Sequence, residues 1–190
     1  MPADSKTIDY YLSPSSPWTY LGHARFAEIA RRHGVRVNVK PVDFGVIFPQ
    51  SGGLPLAKRA PQRQAYRLVE LARWQQHLGV PLVIKPKFFP VDAGPAAALI
   101  AGAAEDKRMA LAGDLLAALW HDDRNLADPA LLKEMGARHG VAGGDKGRFD
   151  GFTQEALARG VFGAPSYVYR DEIFWGQDRL DFLDRALARQ

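Results

Sequence analysis

The short stretch Ser16-Pro17-Trp18-Thr19 restricts the fold of this chain more than any other part of the sequence. An apolar run, IDYYL at residues 8–12, precedes it and is typical of a buried strand. Pro17 suits the first position of a helix, where its missing N–H costs nothing, and Ser16 then occupies the N-cap. The sequence therefore predicts a strand, a short loop and the start of a helix. Because a helix N-terminus carries a partial positive charge and unpaired N–H groups, this site would stabilise an anion such as a thiolate.

The same stretch has the pattern of a redox motif whose sulfur atoms are missing. A strand followed by Cys-Pro-Trp-Cys at a helix start is typical of a dithiol site. Here two hydroxyl residues, Ser16 and Thr19, occupy the outer positions, and the 190 residues include no cysteine. The chain therefore has no thiol chemistry of its own, and any sulfur at this site must come with a ligand.

Several motifs together resemble one known family. They are IDYYL at residues 8–12, SPWTYLG at 16–22, the passage 65–81, GVFGAPS at 160–166 and DEIFWGQDRL at 171–180. In these stretches the chain is similar to the 2-hydroxychromene-2-carboxylate isomerases, which are relatives of kappa-class glutathione transferases in the DsbA-like thioredoxin superfamily. The resemblance covers most of the chain and implies an α/β, thioredoxin-like fold of the DsbA and kappa type.

Length and charge fit a small globular protein without a polyanionic partner. The 190 residues are within the range of one domain, and the net charge is +4 with basic and acidic residues interleaved. No apolar run approaches the ~18 residues of a membrane span, and residues 1–6 lack the apolar core of a signal peptide. We therefore expect a cytoplasmic protein that binds neither nucleic acid nor a membrane.

The order of predicted elements is βαβ, then helices, then ββα. We expect strands at residues 7–12 and 35–42, a helix at 17–33, and a long Gly- and Pro-rich loop at 44–61. Helical patterns follow at 62–79, 95–104, 106–120, 129–139 and 148–158, then a hairpin at 166–169 and 173–175 and a final helix at 177–189. This order predicts a thioredoxin-like domain (1–45 and 160–190) with an all-helical insertion domain (46–159).

The resemblance assigns roles to the two ends of the chain. It implies that Ser16 hydrogen-bonds the sulfur of bound glutathione; without it, Ser16 is an ordinary N-cap serine. It also implies a cis peptide bond before Pro165, which turns the N–H and C=O of Ala164 towards the extended cysteinyl part of glutathione. Gln177 and Asp178 would hold the γ-glutamyl end, although an Asp at a helix start also stabilises the helix without any ligand.

The middle of the chain departs from the family at two positions. Relatives hold ligand carboxylates with an Asn and a Lys, where this chain has Gly53 and Arg63. The side-chain contact at Gly53 is thereby lost, whereas Arg63 can still pair with a carboxylate. Trp18 and Tyr66 are candidates for the substrate pocket, although aromatic residues on apolar faces more often belong to a core. The five histidines show no metal-ligand spacing, so we expect no metal site.

Three functions follow from these features. The resemblance implies a homodimeric, glutathione-dependent isomerase that interconverts 2-hydroxychromene-2-carboxylate and trans-o-hydroxybenzylidenepyruvate, a small aromatic carboxylate substrate, in aromatic catabolism. A kappa-like glutathione transferase or peroxidase keeps the fold and changes the chemistry. A non-catalytic thioredoxin-like binding module is the third interpretation, in which Ser16 and Thr19 mark a redox site that has lost its sulfurs.

Overall fold

Strands from the two ends of the chain form one sheet in the computed structural model, which describes residues 6–189. The strands are β1 (Thr7–Leu12), β2 (Arg36–Pro41), β3 (Ser166–Tyr169) and β4 (Glu172–Trp175). They lie in the order β2-β1-β3-β4. β1 runs parallel to β2 and antiparallel to β3, and β4 runs antiparallel to β3. This mixed sheet confirms the predicted α/β class and the predicted βαβ and ββ units.

Helices make up most of the remaining described chain. They are α1 (Pro17–Arg32), α2 (Phe44–Ser51), α3 (Pro61–Leu78), α4 (Gly94–Gly102), α5 (Glu105–Trp120), α6 (Pro129–His139), α7 (Lys146–Ala158) and α8 (Leu180–Ala188). Short 3₁₀ turns occur at Leu56–Lys58 and Gln177–Arg179. Within residues 6–189, no helix has both the length and the apolar character that crossing a membrane requires.

α1 begins at the residue that the sequence predicts and ends within one residue of the prediction. Ser16 is its N-cap and Pro17 its first residue. At the other end Gly34 has a φ of +61°, and the N–H of Val35 donates to the carbonyl of Ala30 at 2.9 Å. A left-handed residue directly after the last turn is the usual way to end a helix, and glycine adopts it without a steric penalty. The chain then enters β2 beside β1.

The prediction of a loop over residues 44–61 is wrong, because most of this passage is helical. α2 is capped by Asp43, whose Oδ1 accepts a hydrogen bond from the N–H of Gly45 at 2.7 Å. It ends at Gly52, which has a left-handed φ of +74°. Gly45 and Pro49 lie inside this short helix and are poor helix formers, so composition alone indicates a loop. The sequence does contain two signals for a helix here, the N-cap residue Asp43 and the C-terminal glycine Gly52.

One large core joins the helices to the sheet. The cluster of buried apolar side chains includes Ile8 of β1, Leu115 of α5 and Leu183 of α8. Residues 46–159 contain no strand in the described structure, and the expected boundary at residue 45 falls inside α2. The division of the chain into two domains stays a prediction.

A network of charged side chains binds α7 to the sheet. Lys40 Nζ lies 2.8 Å from Asp9 Oδ1 and 2.6 Å from Glu155 Oε1. Arg159 Nη1 donates to Asp9 Oδ2 at 3.1 Å, and the Tyr11 hydroxyl donates to Glu155 Oε1 at 2.8 Å. The Asp9 and Lys40 side chains are only 14% and 12% exposed, so water screens this pair poorly. The network therefore fixes α7 against β1 and β2.

Candidate active site

Ser16 caps the first turn of α1 with its side chain. Its Oγ accepts a hydrogen bond from the backbone N–H of Thr19 at 3.2 Å. Its own N–H donates to the carbonyl of Ser13 at 3.0 Å, and its carbonyl accepts from the N–H of Tyr20 at 3.1 Å. Because the hydroxyl oxygen is an acceptor here, its hydrogen stays available as a donor to a ligand. Ser16 is partly exposed, so this donor faces accessible space.

The two hydroxyl residues of the motif differ in accessibility. Thr19 is fully buried, and its Oγ1 has no hydrogen-bond partner. The backbone N–H of Trp18 takes part in none of the hydrogen bonds formed within residues 6–189. The Trp18 side chain is half-buried and packs against the main core. An anion at this helix end would therefore meet the Ser16 hydroxyl and the Trp18 N–H, and not Thr19.

The peptide bond between Ala164 and Pro165 is cis, which confirms the prediction at this position. Tyr11 pairs with Ser166, so the loop that leads to Ser16 leaves β1 at the end of the sheet where Pro165 enters β3. The Pro165 carbonyl accepts a hydrogen bond from the N–H of Gly176 at 2.8 Å. Ala164 is partly exposed, and its N–H and C=O form no hydrogen bond with residues 6–189. Its backbone is therefore available to an extended peptide.

Gln177 and Asp178 lie in the 3₁₀ turn before α8 and point in different directions. The Gln177 side chain is 2% exposed, and its Oε1 has no partner. Its carbonyl accepts a hydrogen bond from Arg25 Nη2 at 2.8 Å. Asp178 is exposed and forms an ion pair with Arg179. Gln177 could therefore contact a ligand only through its backbone. Asp178 could do so through its carboxylate, which is accessible.

In the sequence, Gly53 precedes the 3₁₀ turn Leu56–Lys58 and Arg63 follows it. A Cβ atom at Gly53 would overlap the ring of Phe48. The Phe48 ring therefore occupies the space that an Asn side chain at position 53 would need. Arg63 is exposed in the first turn of α3 and forms no ion pair with the described residues. Tyr66, one turn later on the same face, is 53% exposed.

Sequence reasoning missed one buried arginine on α3. Arg67 is 8% exposed, and its Nη2 is buried without a hydrogen-bond partner. A solvated position is the ordinary expectation for an arginine on a helix. The signal that indicates burial is spacing, because Arg67 precedes the buried Leu71 by four residues and the half-buried Trp74 by seven.

His23 lies in the interior of α1 and is half-buried. Its Nδ1 lies 3.1 Å from the Tyr10 hydroxyl, and its Nε2 lies 3.0 Å from the Met109 carbonyl. A carbonyl only accepts, so Nε2 carries the hydrogen and Nδ1 accepts from Tyr10. Burial lowers the pKa of His23, which favours the neutral ring. Within the described part of the chain, no group of His, Asp and Glu side chains is arranged to hold a metal ion.

Comparison with known proteins identifies the family of this chain. The family model of the DSBA-like thioredoxin domain matches residues 7–188. A 2-hydroxychromene-2-carboxylate isomerase of Sphingobium xenophagum is 28% identical over 194 residues, covering 96% of this chain and 98% of the relative. An isomerase of the same name from Pseudomonas putida is 28% identical and covers 96% of this chain and 94% of its own length.

Solved structures agree as well. A 2-hydroxychromene-2-carboxylate isomerase superposes with a TM-score of 0.83 at 25% identity, covering 96% of this chain and 95% of the other. The cytosolic disulfide reductase DsbM of Pseudomonas aeruginosa, solved with GSH, has a TM-score of 0.62 at 20% identity and covers 96% of this chain and 99% of its own. The second likeness supports the fold alone.

Proposed function

The chain belongs to the DSBA-like thioredoxin domain family, and from that premise we propose that it is a glutathione-dependent isomerase of 2-hydroxychromene-2-carboxylate. The names of its curated relatives support the reaction. The complete absence of cysteine supports the dependence on glutathione, because a thioredoxin-like site without its own sulfur needs a thiol from outside. The product proposed is trans-o-hydroxybenzylidenepyruvate, an isomer of the substrate, so the reaction consumes no reductant.

The observation that carries this proposal is the hydrogen bond from the Thr19 N–H to Ser16 Oγ, at 3.2 Å. It fixes the oxygen as an acceptor and leaves the hydroxyl hydrogen for a thiolate. A cysteine thiol has a pKa of about 8.5, so only a few per cent is ionised at neutral pH. A hydroxyl donor and a helix N-terminus both favour the charged form and lower that pKa. Ser16 is proposed to raise the thiolate fraction in this way.

The residues around this helix start fit glutathione, which when bound would supply the nucleophilic thiolate that this chain lacks. The free N–H and C=O of Ala164 suit its extended cysteinyl part. The accessible Asp178 carboxylate suits its ammonium group, and the backbone N–H of Gln177 its γ-glutamyl carboxylate. Arg63, exposed and without a described ion-pair partner, suits the other carboxylate. Gly53 contributes backbone only, since the Phe48 ring fills the adjacent space.

Trp18 and Tyr66 are proposed to line the substrate pocket. Trp18 follows Ser16 by two residues in the sequence and is half-buried, so part of its surface is open to a substrate bound at this helix start. Tyr66 is exposed on α3, which contacts α1. An aromatic carboxylate has the apolar surface that such rings stack against.

Turnover by the purified protein tests the proposal. Loss of 2-hydroxychromene-2-carboxylate is followed with and without glutathione, and total glutathione is measured before and after. We expect turnover that requires glutathione and leaves its amount unchanged. An equal rate with and without glutathione would reject the proposal.

Two other outcomes would identify the alternatives. Formation of a stable conjugate with a generic electrophile would indicate a kappa-like transferase. No binding of glutathione at millimolar concentration by calorimetry would indicate a non-catalytic thioredoxin-like module. A homodimeric state, implied by the family resemblance, and a cytoplasmic location, expected from the sequence, stay predictions.

A further inference from the structure

Arg67 is a buried cation for which the described chain offers no anion. Arg67 is 8% exposed, and its Nη2 has no hydrogen-bond partner. The guanidinium lies 5.0 Å from the ring centre of Phe89 and 5.9 Å from that of Trp120. Two aromatic faces partly compensate a desolvated cation, but they leave the Nη2 donor without a hydrogen-bond acceptor.

The charged side chain that acts on Arg67, Arg59, is also positive. Burial and the charge of Arg59 lower the pKa of Arg67 to about 10. Burial and the charge of Arg63 likewise lower the pKa of Arg59. Within residues 6–189, none of Lys58, Arg59, Arg63 and Arg67 forms an ion pair with a carboxylate, and Arg59 Nε donates instead to the Leu54 carbonyl at 2.8 Å. This end of α3 is therefore a positive cluster without a balancing acid.

An isolated buried charge is costly, and arginines that are nine-tenths buried are almost always paired. A merely structural position would be filled more stably by an apolar residue of similar length. A bound anion would both accept a hydrogen bond from the unpartnered Nη2 of Arg67 and balance the positive charge of its guanidinium.

We propose that the Arg67 guanidinium, whose Nη2 has no partner in the described chain, binds the carboxylate of the aromatic substrate. This inference rests on the proposed function for the identity of the ligand. Trp120 is fully buried and closes the inner side, whereas Phe89 and Arg59 are partly exposed and mark the side of approach. The aromatic lining suits a ring-bearing acid better than the glycyl carboxylate of a peptide.

Binding of a probe without turnover tests the site. Salicylate, an aromatic carboxylate, and salicylamide, its uncharged analogue, are titrated into the wild-type protein, Arg67→Met and Arg73→Gln by calorimetry, without glutathione. Arg73 is an exposed arginine on the same helix and provides the matched control. We expect Arg67→Met to weaken salicylate binding about 10- to 100-fold, with little change for salicylamide and none in Arg73→Gln.

Thermal unfolding separates a binding role from a structural one. If Arg67 serves a ligand, Arg67→Met unfolds at the same or a higher temperature than the wild type, and salicylate raises the unfolding temperature of the wild type alone. A variant that binds salicylate as tightly as the wild type would overturn the proposal. So would an Arg67→Met protein that fails to fold while Arg67→Lys folds and binds as the wild type does, because a lysine lacks the planar donor fork.

Kinetics distinguish the source of the carboxylate. In Arg67→Lys we expect KM for the chromene carboxylate to rise about 10-fold or more while KM for glutathione is unchanged; the reverse pattern would overturn the assignment to substrate. If salicylate binding depends on Arg67 but no variant and no wild-type protein turns over the chromene, the anion site stands and the proposed function fails.

Discussion

Gly22 of α1 approaches Gln177 so closely that a Cβ atom at position 22 would lie 2.6 Å from the Gln177 Cβ. The same atom would lie 3.2 Å from the Tyr167 hydroxyl. One turn later, Arg25 Nη2 donates to the Gln177 carbonyl at 2.8 Å. The helix that begins at Ser16 is thereby fixed against the turn that carries Asp178. The spacing of these two proposed ligand-holding segments depends on a residue without a side chain.

We expect Gly22→Ala to lower the free energy of unfolding by about 1–3 kcal/mol, because the added methyl group must displace backbone and side chain of Gln177. Gly151→Ala is the matched control, since a Cβ at Gly151 of α7 meets nothing within 4 Å. It should raise the free energy of unfolding by about 0.5–1 kcal/mol through helix propensity. Urea denaturation measures both, and equal values for the two variants would contradict the close approach.

Stability should fall as the pH drops below about 6.5, because the folded protein desolvates the His23 ring and keeps it neutral. Its lowered pKa means that the unfolded chain takes up a proton at a higher pH than the folded protein does. The unfolded state is therefore favoured from the ordinary histidine pKa downward until the folded protein also protonates. Carboxylates with lowered pKa, such as Asp184 beside His33 and Arg32, lose their contribution only below about pH 4.

Melting temperatures between pH 8 and pH 5 measure this effect. His23→Gln offers an amide to Tyr10 and Met109 without a titrating group, and it should flatten the profile between about pH 6.5 and 5. A wild-type profile that is already flat in that range would show that His23 does not titrate as burial requires.

Lys40→Met should destabilise the protein by about 2–3 kcal/mol. It leaves the Asp9 carboxylate, 14% exposed, without its closest cation. Asn38 and Arg159 still contact this carboxylate at 2.8 and 3.1 Å, which keeps the loss below the full cost of an unpaired buried charge. Lys107→Met removes an exposed partner 4.0 Å from Asp106 and should change stability by less than about 0.5 kcal/mol. Chemical denaturation of the two variants checks the difference, and similar losses would contradict it.

Elements with local signals could be predicted from the sequence. Ser16 and Pro17 fix the start of α1, and Gly34 fixes its end. The hairpin of β3 and β4 follows from two short runs of aromatic and β-branched residues on either side of a turn, in which Arg170 and Asp171 take φ values of +50° and +63°. α2 was missed because Gly45 and Pro49 outweighed the cap at Asp43.

The features of the candidate site also differ in whether a local sequence signal predicts them. The position of Ser16 and the cis bond before Pro165 are carried by short motifs, and both can be predicted from the family resemblance. The burial of Arg67 depends on Phe89 and Trp120, which are distant in the sequence. The inward side chain of Gln177 depends likewise on Gly22 of another helix. Such placements arise from packing between segments, and no local pattern encodes them.

Ser16→Ala should reduce glutathione-dependent turnover about 10²-fold, the usual loss when one donor to a reacting anion is removed. It also removes the cap on the Thr19 N–H and should cost about 1 kcal/mol of stability. Ser16→Asp keeps an acceptor for that N–H but places a negative charge beside a thiolate, so it should fold as the wild type does and turn over no faster than Ser16→Ala. A Ser16→Asp protein with wild-type turnover would contradict a donor role for this side chain.

The most direct test is the pKa of the thiol of bound glutathione, followed by the ultraviolet absorbance of the thiolate during a pH titration. In the wild type we expect a pKa below the ordinary value of about 8.5, and in Ser16→Ala a value about 1–2 units higher than in the wild type. Ser15→Ala, which changes a loop hydroxyl bonded to Ser13, should match the wild type. A thiol pKa that is the same in the wild type and in Ser16→Ala would contradict the account.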